Sequence, residues 1–401
     1  MSRRLKIFFG IIGALLLLVA AGTLFFIIDW RHTTKLTVQD VLDQTLINRL
    51  EADKEPPAGS TSTFKLPASS TGTIHILLLG LDHRKTSTSS RCDAIHMITL
   101  NTQEWSVHIT SMPRGTHTGI PGLAPTSTQS YVANACGMIS VDYGIKQIER
   151  MLKIKADYVI KVGFSQTLGL LRLFKLPTNE SLQWLRDRKS FGIGDPQRSH
   201  NQAVFIKDVG IKKIGLFAEP SMYPVAKVAY SFVDTNLDFA SFYALLRGYA
   251  ESDIQSHPEK VTLSMWPVFY TKDFHFNFND PANFVTGMKA TIATSSLTEQ
   301  NYQAIQADLI KYIKTRLTYK TSIKDVVEKQ LWLQIENEET RESLHFEIVK
   351  RLVKEAKTLE TKKTILEEYM FEKETLGLSD WIVKGKDLLE EVTAQTTTPK
   401  V

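Results

Sequence analysis

The alternation of apolar and polar positions divides the chain into four textures. From Ile7 to Ile28 the residues carry no charge and are almost all apolar, and at ~1.5 Å per residue such a helix is long enough to cross a bilayer's hydrocarbon core. Arg3, Arg4 and Lys6 precede the run and Trp30 follows it, so the positive-inside rule keeps residues 1–6 cytoplasmic and exports everything beyond. A cleaved signal peptide is the competing reading, with Ala20-Ala21-Gly22 as its small-residue site; the apolar run outlasts a usual signal core and favours an uncleaved anchor. Residues 29–72 hold a short amphipathic stretch around 33–48 and then a Pro/Ser/Thr/Gly-rich tract from Lys54 to Thr73, the composition of a spacer.

From residue 73 the pattern becomes that of a layered domain. Ile74–Gly80, Ala94–Leu100 and Trp105–Thr110 read as strands. Val141, Ile145, Ile148 and Leu152 recur at helical spacing, and Tyr158–Val162 returns to strand character. Helices are expected at 201–214 and 239–249, and a last strand at 261–266. Strands alternating with helices predict an α/β layered domain over residues 73–295. Beyond residue 296 Pro is absent until Pro399 and Lys/Glu pairs become dense, which predicts a charged, mainly helical extension over 296–401.

Composition adds exclusions. The chain has 401 residues, 43% of them hydrophobic and 23% charged, too ordinary for wholesale disorder. Its net charge of +5 is spread along the chain and argues against nucleic acid as a partner. Two cysteines, Cys92 and Cys136, exclude a cysteine-rich zinc site, leaving a disulfide or two buried thiols open.

Candidate chemistry gathers at the ends of the expected strands. The first runs into Asp82-His-Arg84, the second follows Arg91-Cys-Asp93, and the third ends in Ser111-Met-Pro-Arg114. Arg186-Asp-Arg188 and Asp195-Pro-Gln-Arg198 come later, with Gln202 one helical turn beyond Arg198. Strand ends in an α/β sheet form the usual ligand crevice. Carboxylates there suit a hard divalent cation, and arginine forks match phosphate oxygens. His83, His117 and His200 stand beside these motifs without metal-ligand spacing. No Gly-x-Ser-x-Gly elbow occurs, which disfavours a serine hydrolase.

This order of motifs resembles the LytR–CpsA–Psr family of cell-envelope enzymes: an N-terminal anchor, then Asp-x-Arg, Arg-x-Asp, Ser-x-Pro-Arg, Arg-x-Arg and Asp-x-x-Arg with a Gln four residues on. The likeness covers about Ile74 to Pro267. Three positions depart from it: Gly115 stands where the family has Asp, Asn201 where it has Arg, and Leu170–Leu176 replaces a Gly-Gly-containing segment.

The resemblance implies a three-layer αβα domain with a mixed central sheet. It also implies a bacterial single-pass membrane enzyme that moves a glycopolymer from an undecaprenyl-pyrophosphate carrier to a peptidoglycan sugar hydroxyl, forming a phosphodiester. Asp93, Arg114 and Arg198 would be catalytic, Arg84, Arg91, Arg186, Arg188 and Gln202 would bind substrate, and Asp82 with Asp93 would hold Mg²⁺ or Mn²⁺. A hydrophobic slot for the prenyl chain is expected, with Ile145, Ile148, Leu152, Phe164, Leu168, Leu171 and Phe205 as candidate lining. Two other classes share these residues: a degenerate protein that binds pyrophosphate lipid or wall polymer without turnover, and a hydrolase of pyrophosphate-linked lipid.

Overall fold

The computed structural model describes residues 72–82, 90–124, 126–186, 194–289, 299–318 and 322–397. The expected anchor at 7–28 and nearly all of the spacer lie outside them, and no helix among the described residues is long and apolar enough to cross a membrane. Two compact units are present, one ending at Arg351 and the other running from Leu352.

The larger unit opens with β1 (Thr73–Asp82), β2 (Arg91–Asn101) and β3 (Ser106–Ser111). Helices α1 (Val132–Met138) and α2 (Val141–Leu152) follow, then β4 (Tyr158–Gly163) and helices α3 (Phe164–Leu173) and α4 (Thr178–Arg186). The 20-residue α5 (Asp195–Ile214), α6 (Tyr223–Ser231), the short β5 (Asp234–Thr235), α7 (Phe239–Glu251) and β6 (Val261–Met265) complete the sheet region. The six strands lie in the order β5-β4-β1-β2-β3-β6. β1 is antiparallel to β2 and parallel to β4, and β3 is antiparallel to β2 and parallel to β6. The C-terminal ends of β1, β3, β4 and β6 therefore share one edge of the sheet with the start of β2, and Asp82, Arg91, Asp93 and Arg114 sit there.

β1 carries no polar residue between His75 and Asp82 because it is buried on both faces. Ile74 and Ile76 enter one cluster with Leu100, Ile109, Leu245 and Tyr249. Leu77, Leu79 and Leu81 enter another with Ile95, Met97, Val132 and Ile148. These two apolar layers put helices on either side of a mixed sheet, the three-layer arrangement that the resemblance implies. The strands expected from the sequence are all present, and α2 is Val141–Leu152 as its periodicity indicates. α5 starts six residues earlier than expected, because Pro196 at its first turn needs no backbone donor.

Cys92 and Cys136 form a disulfide that ties β2 to α1, both sulfurs buried in the second cluster. Close packing follows: a Cβ on Gly144 of α2 would fall 2.2 Å from the Cys136 sulfur.

After β6 come α8 (Pro281–Lys289), α9 (Glu299–Thr318) and α10 (Lys324–Glu328). The turn Leu331–Gln334 packs on α3: Arg172 donates to the Leu333 and Ile335 carbonyls, and the Gln334 amide donates to Ser165 Oγ at 2.7 Å. The chain beyond 296 thus begins as part of the α/β unit, and the division between units falls at 351/352 inside α11 (Glu338–Glu355), not at 295/296. The smaller unit pairs α12 (Leu359–Leu376) with α13 (Ser379–Thr397); Gly377 takes the left-handed turn between them, and Gly385 lets α13 approach Met370 closely.

The disulfide bridges residues 44 apart, so its loss frees a long loop in the unfolded chain and costs on the order of 2–4 kcal/mol. The Cys92→Ala/Cys136→Ala protein is expected to unfold at clearly lower urea concentration than the parent, read by the circular dichroism midpoint.

Candidate functional site

Asp93 is the residue around which the edge is built. Register runs Gly80↔Ala94 and then Leu81↔Cys92, so Asp93 is the extra residue of a β-bulge on β2. A bulge re-aims one side chain and releases its backbone from the ladder. Both consequences appear here. Arg114 Nη1 donates to Asp93 Oδ1 at 2.5 Å, and Arg198 Nη2 donates to the Asp93 carbonyl at 3.1 Å. Asp195 joins the two arginines from the first turn of α5, 3.5 Å from Arg114 Nε and 3.4 Å from Arg198 Nη2. Arg114 comes from the loop after β3 and Arg198 from α5, so three elements converge in one alternating network.

Burial alone would draw the Arg114 guanidinium down, but the charge of Asp93 and then of Asp195 outweighs it and holds the group above the ordinary arginine range. Arg114 thus stays cationic at every working pH, as an anion-binding group must. The N-terminus of a 20-residue helix adds its partial positive charge beside Arg198.

Asp82 and Arg91 face each other across β1 and β2 at 3.6 Å. Arg186, exposed at the end of α4, lies with its guanidinium carbon 5.2 Å from the Phe164 ring centre. Gln202 donates its amide to the Leu185 carbonyl at 2.9 Å, fastening α4 to α5 and not reaching an arginine. Arg84, Arg188 and His83 lie outside the described residues. His200 is buried and bonds Asp273 at 2.5 Å, while His117 bridges Tyr131.

Gly115 leaves room beside Asp195: a Cβ there would lie 3.6 Å from Asp195 Oδ2. That is ordinary contact distance, and with glycine at 115 the carboxylates that meet Arg114 are those of Asp93 and Asp195. Asn201 is fully buried; its Oδ1 accepts from Gln197 at 2.9 Å while its Nδ2 has no partner.

Two features were not read from the sequence. His96, buried in the middle of β2, contacts Ser111 Oγ at 3.1 Å, and burial pushes its imidazole down to about 4 with Gln202 only partly opposing. The apolar cavity is also elsewhere than expected. It holds about 280 Å³ between the sheet and helices α5 and α7, and Ile98, Ile109, Ile160, Gly210, Phe242 and Tyr249 are among its lining residues. Ile145, Ile148 and Leu152 instead pack on the opposite face of the sheet. Leu171 and Phe205 pack around Trp184, Phe164 lies under Arg186, and Leu168 is buried core. Helical periodicity marks a buried face but not which layer it enters. The observed cavity shares a face with the charged edge, because α5 runs from Arg198 to Ile206 and Gly210, ~12 Å from the first to the second.

Among the described residues no group of three His, Cys, Asp or Glu side chains is placed to hold a metal ion. Asp82 and Asp93 are 29% and 32% exposed and each already meets an arginine, Arg91 and Arg114 respectively.

Fold and edge together define an α/β domain with a partly buried Asp–Arg network at one end of its sheet and an apolar chamber on the same face. Residues 41–168 match the model of the LytR_cpsA_psr family. The match takes in Asp82, Arg91, Asp93 and Arg114 and ends before Arg198. Among curated proteins, the chain is 26% identical over 202 residues to the polyisoprenyl-teichoic acid–peptidoglycan teichoic acid transferase TagU of Bacillus cereus, covering 50% of this chain and 61% of that one. It is 24% identical over 282 residues to TagU of Bacillus subtilis, covering 63% and 84%. The chain thus spans about three fifths of the first of these relatives. Crystalline TagV of B. subtilis aligns with 16% identity and a TM-score of 0.38, covering 56% of this chain and 99% of that one.

Because folded His96 titrates near 4 and an unfolded histidine near 6.5, its neutral form favours the fold fully above pH 6.5. That contribution, ~3 kcal/mol, is lost as pH falls toward 4. Urea midpoints are expected to fall across this window, and the His96→Gln protein is expected to show a shallower fall.

Proposed function

We propose that the chain is a membrane-anchored transferase of the bacterial cell envelope that moves a glycopolymer from a polyprenyl-pyrophosphate carrier to a sugar hydroxyl of peptidoglycan. The observation that carries this reading is the Asp93–Arg114–Asp195–Arg198 network standing at one end of the same sheet face as the apolar cavity. An amphiphile with a di-anionic head and an apolar chain is the ligand such a surface matches. The relatives named as teichoic acid transferases supply the substrate class.

The reaction needs charge neutralisation and alignment. Arg114 and Arg198 contact the non-bridging oxygens of the pyrophosphate and the oxygen on which charge develops as polyprenyl phosphate leaves. Arg91 and Arg186 would hold the remaining oxygens, and Arg84 and Arg188 are the further arginines that the motif pattern assigns to this role. Asp93 Oδ2 stands outside the Arg114 bond and accepts the proton of the attacking hydroxyl. That oxygen attacks the glycan-bearing phosphorus, the bridging P–O bond breaks, and a phosphodiester remains on peptidoglycan. Asp82 and Asp93 are the residues that would hold Mg²⁺ or Mn²⁺, which would supply further neutralisation of the phosphates. The apolar run at 7–28 would keep the domain at the membrane that holds the carrier.

Transfer is tested by incubating the full chain in detergent with a polyprenyl-pyrophosphate glycan, Mg²⁺ and peptidoglycan. Arg114→Ala and Asp93→Asn are expected to lower transfer by roughly 10²–10³-fold; unchanged rates in both would overturn the mechanism, and acceptor-independent release of glycan phosphate would mark a hydrolase. Gly210 meets nothing within 4 Å and lines the cavity. Gly210→Leu is therefore expected to raise KM for a long-chain donor while leaving a short-chain donor's KM near its parent value.

A further inference from the structure

Among the described residues nine large hydrophobic side chains are exposed, and six of them are Met138, Ile139, Trp266, Val268, Phe269 and Tyr270. The topology brings these six to one end of the molecule. Trp266 follows β6, and its backbone N–H donates to the Ser111 carbonyl at 2.9 Å, three residues before Arg114. The far end of the loop is clamped to the first turns of α5. Gln197 exchanges two hydrogen bonds with the Lys272 backbone, at 2.6 and 2.9 Å, and His200 bonds Asp273. Val268 and Tyr270, 88% and 84% exposed, are thus held outward by a segment fastened at both ends. On the other face of the sheet, Met138 and Ile139 end α1 beside Gly137, against which the Arg91 side chain packs. The rim of the anion site therefore carries apolar residues on both faces of the sheet.

We propose that this rim docks on the lipid headgroup layer of a bilayer, so that the anion site opens toward the membrane surface. The residue types argue for lipid over carbohydrate. Trp, Tyr and Phe favour the bilayer interface, whereas Val268, Met138 and Ile139 offer no flat face on which a sugar stacks. Exposed Lys272 and half-exposed Arg91 beside them match anionic headgroups. Continuity with the charged edge supplies the reason for the position, since a carrier lipid passing from bilayer to cavity must cross this rim; that part rests on the transferase reading.

The test uses the full chain reconstituted into vesicles of equal parts phosphatidylglycerol and phosphatidylcholine. Both native cysteines are bonded to each other, so a single introduced thiol accepts an environment-sensitive fluorophore. Val268→Cys and Met138→Cys labels are expected to shift to the blue and lose emission when nitroxide-bearing lipids are included, whereas a Leu216→Cys label at the other end of α5 stays aqueous. Water-like emission at 268 and 138 would overturn the proposal. So would an apolar signal that nitroxide lipids leave unchanged, which would mean that protein covers the rim, or a shift that appears only when peptidoglycan strands are added, which would mean a sugar platform. As a second readout, Val268→Ser/Phe269→Ser is expected to reduce transfer from vesicle-embedded carrier several-fold and to leave transfer from a detergent-dispersed short-chain carrier unchanged; equal effects on both would also contradict docking. Absence of transfer from every donor would instead remove the transferase reading, and the labels would still report the membrane contact.

Discussion

Everything at the charged edge depends on one displaced residue. By standing outside the β1–β2 register, Asp93 presents its carboxylate to Arg114 and its free carbonyl to Arg198. Standing outside the register leaves that carbonyl out of the β1 pairing and re-aims the side chain. Two arginines, one from a loop and one from a helix, are thereby fixed against the same strand, and Asp195 keeps their mutual repulsion in check. Their charges are balanced within the protein but remain at a strand end, where a doubly charged ligand can replace carboxylate partners with phosphate oxygens. Burial raises the strength of each such exchange and the cost of leaving either cation alone.

The same constraint links the charged edge to the apolar chamber. α5 carries Arg198 near its start and lines the cavity with Ile206 and Gly210, so helix geometry sets the spacing between head and chain sites. Between them lie His96, Ser111 and Gln202, polar but uncharged under ordinary conditions, because burial keeps the imidazole neutral. This stretch passes from cation to neutral dipole to hydrocarbon over a few turns of one helix, a gradient that suits an amphiphile lying lengthwise. Exposed Trp266 to Tyr270 extends it outward, past the anion site.

Much of this was legible in the chain. β1, β2, β3 and α2 declare themselves by period and by apolar runs; of the four residues that converge, Asp93 and Arg114 stand at the ends of these strands, and Asp195 and Arg198 stand in the first turn of α5. Asp195 was visible beside Arg198, yet only the fold shows that it also reaches Arg114. What stayed hidden depends on contacts between distant segments. The bulge at Asp93 is a one-residue slip that no local pattern marks. The cavity's lining comes from five strands and two helices, whereas the helical stripe of Ile145, Ile148 and Leu152 was equally apolar and faces the other layer. His96 sits inside an apolar run, where its burial signals a polar contact across the sheet but not the identity of the partner.

The central claim is that one surface recognises a pyrophosphate head and an apolar chain together. Calorimetric titration of the full chain in detergent with geranylgeranyl pyrophosphate, inorganic pyrophosphate and geranylgeraniol separates the two contributions. The account predicts that the joined molecule binds far more tightly than either part, and that Arg114→Ala and Gly210→Leu each weaken it. Equal affinity for inorganic pyrophosphate, or binding of the joined molecule indifferent to both substitutions, would contradict it.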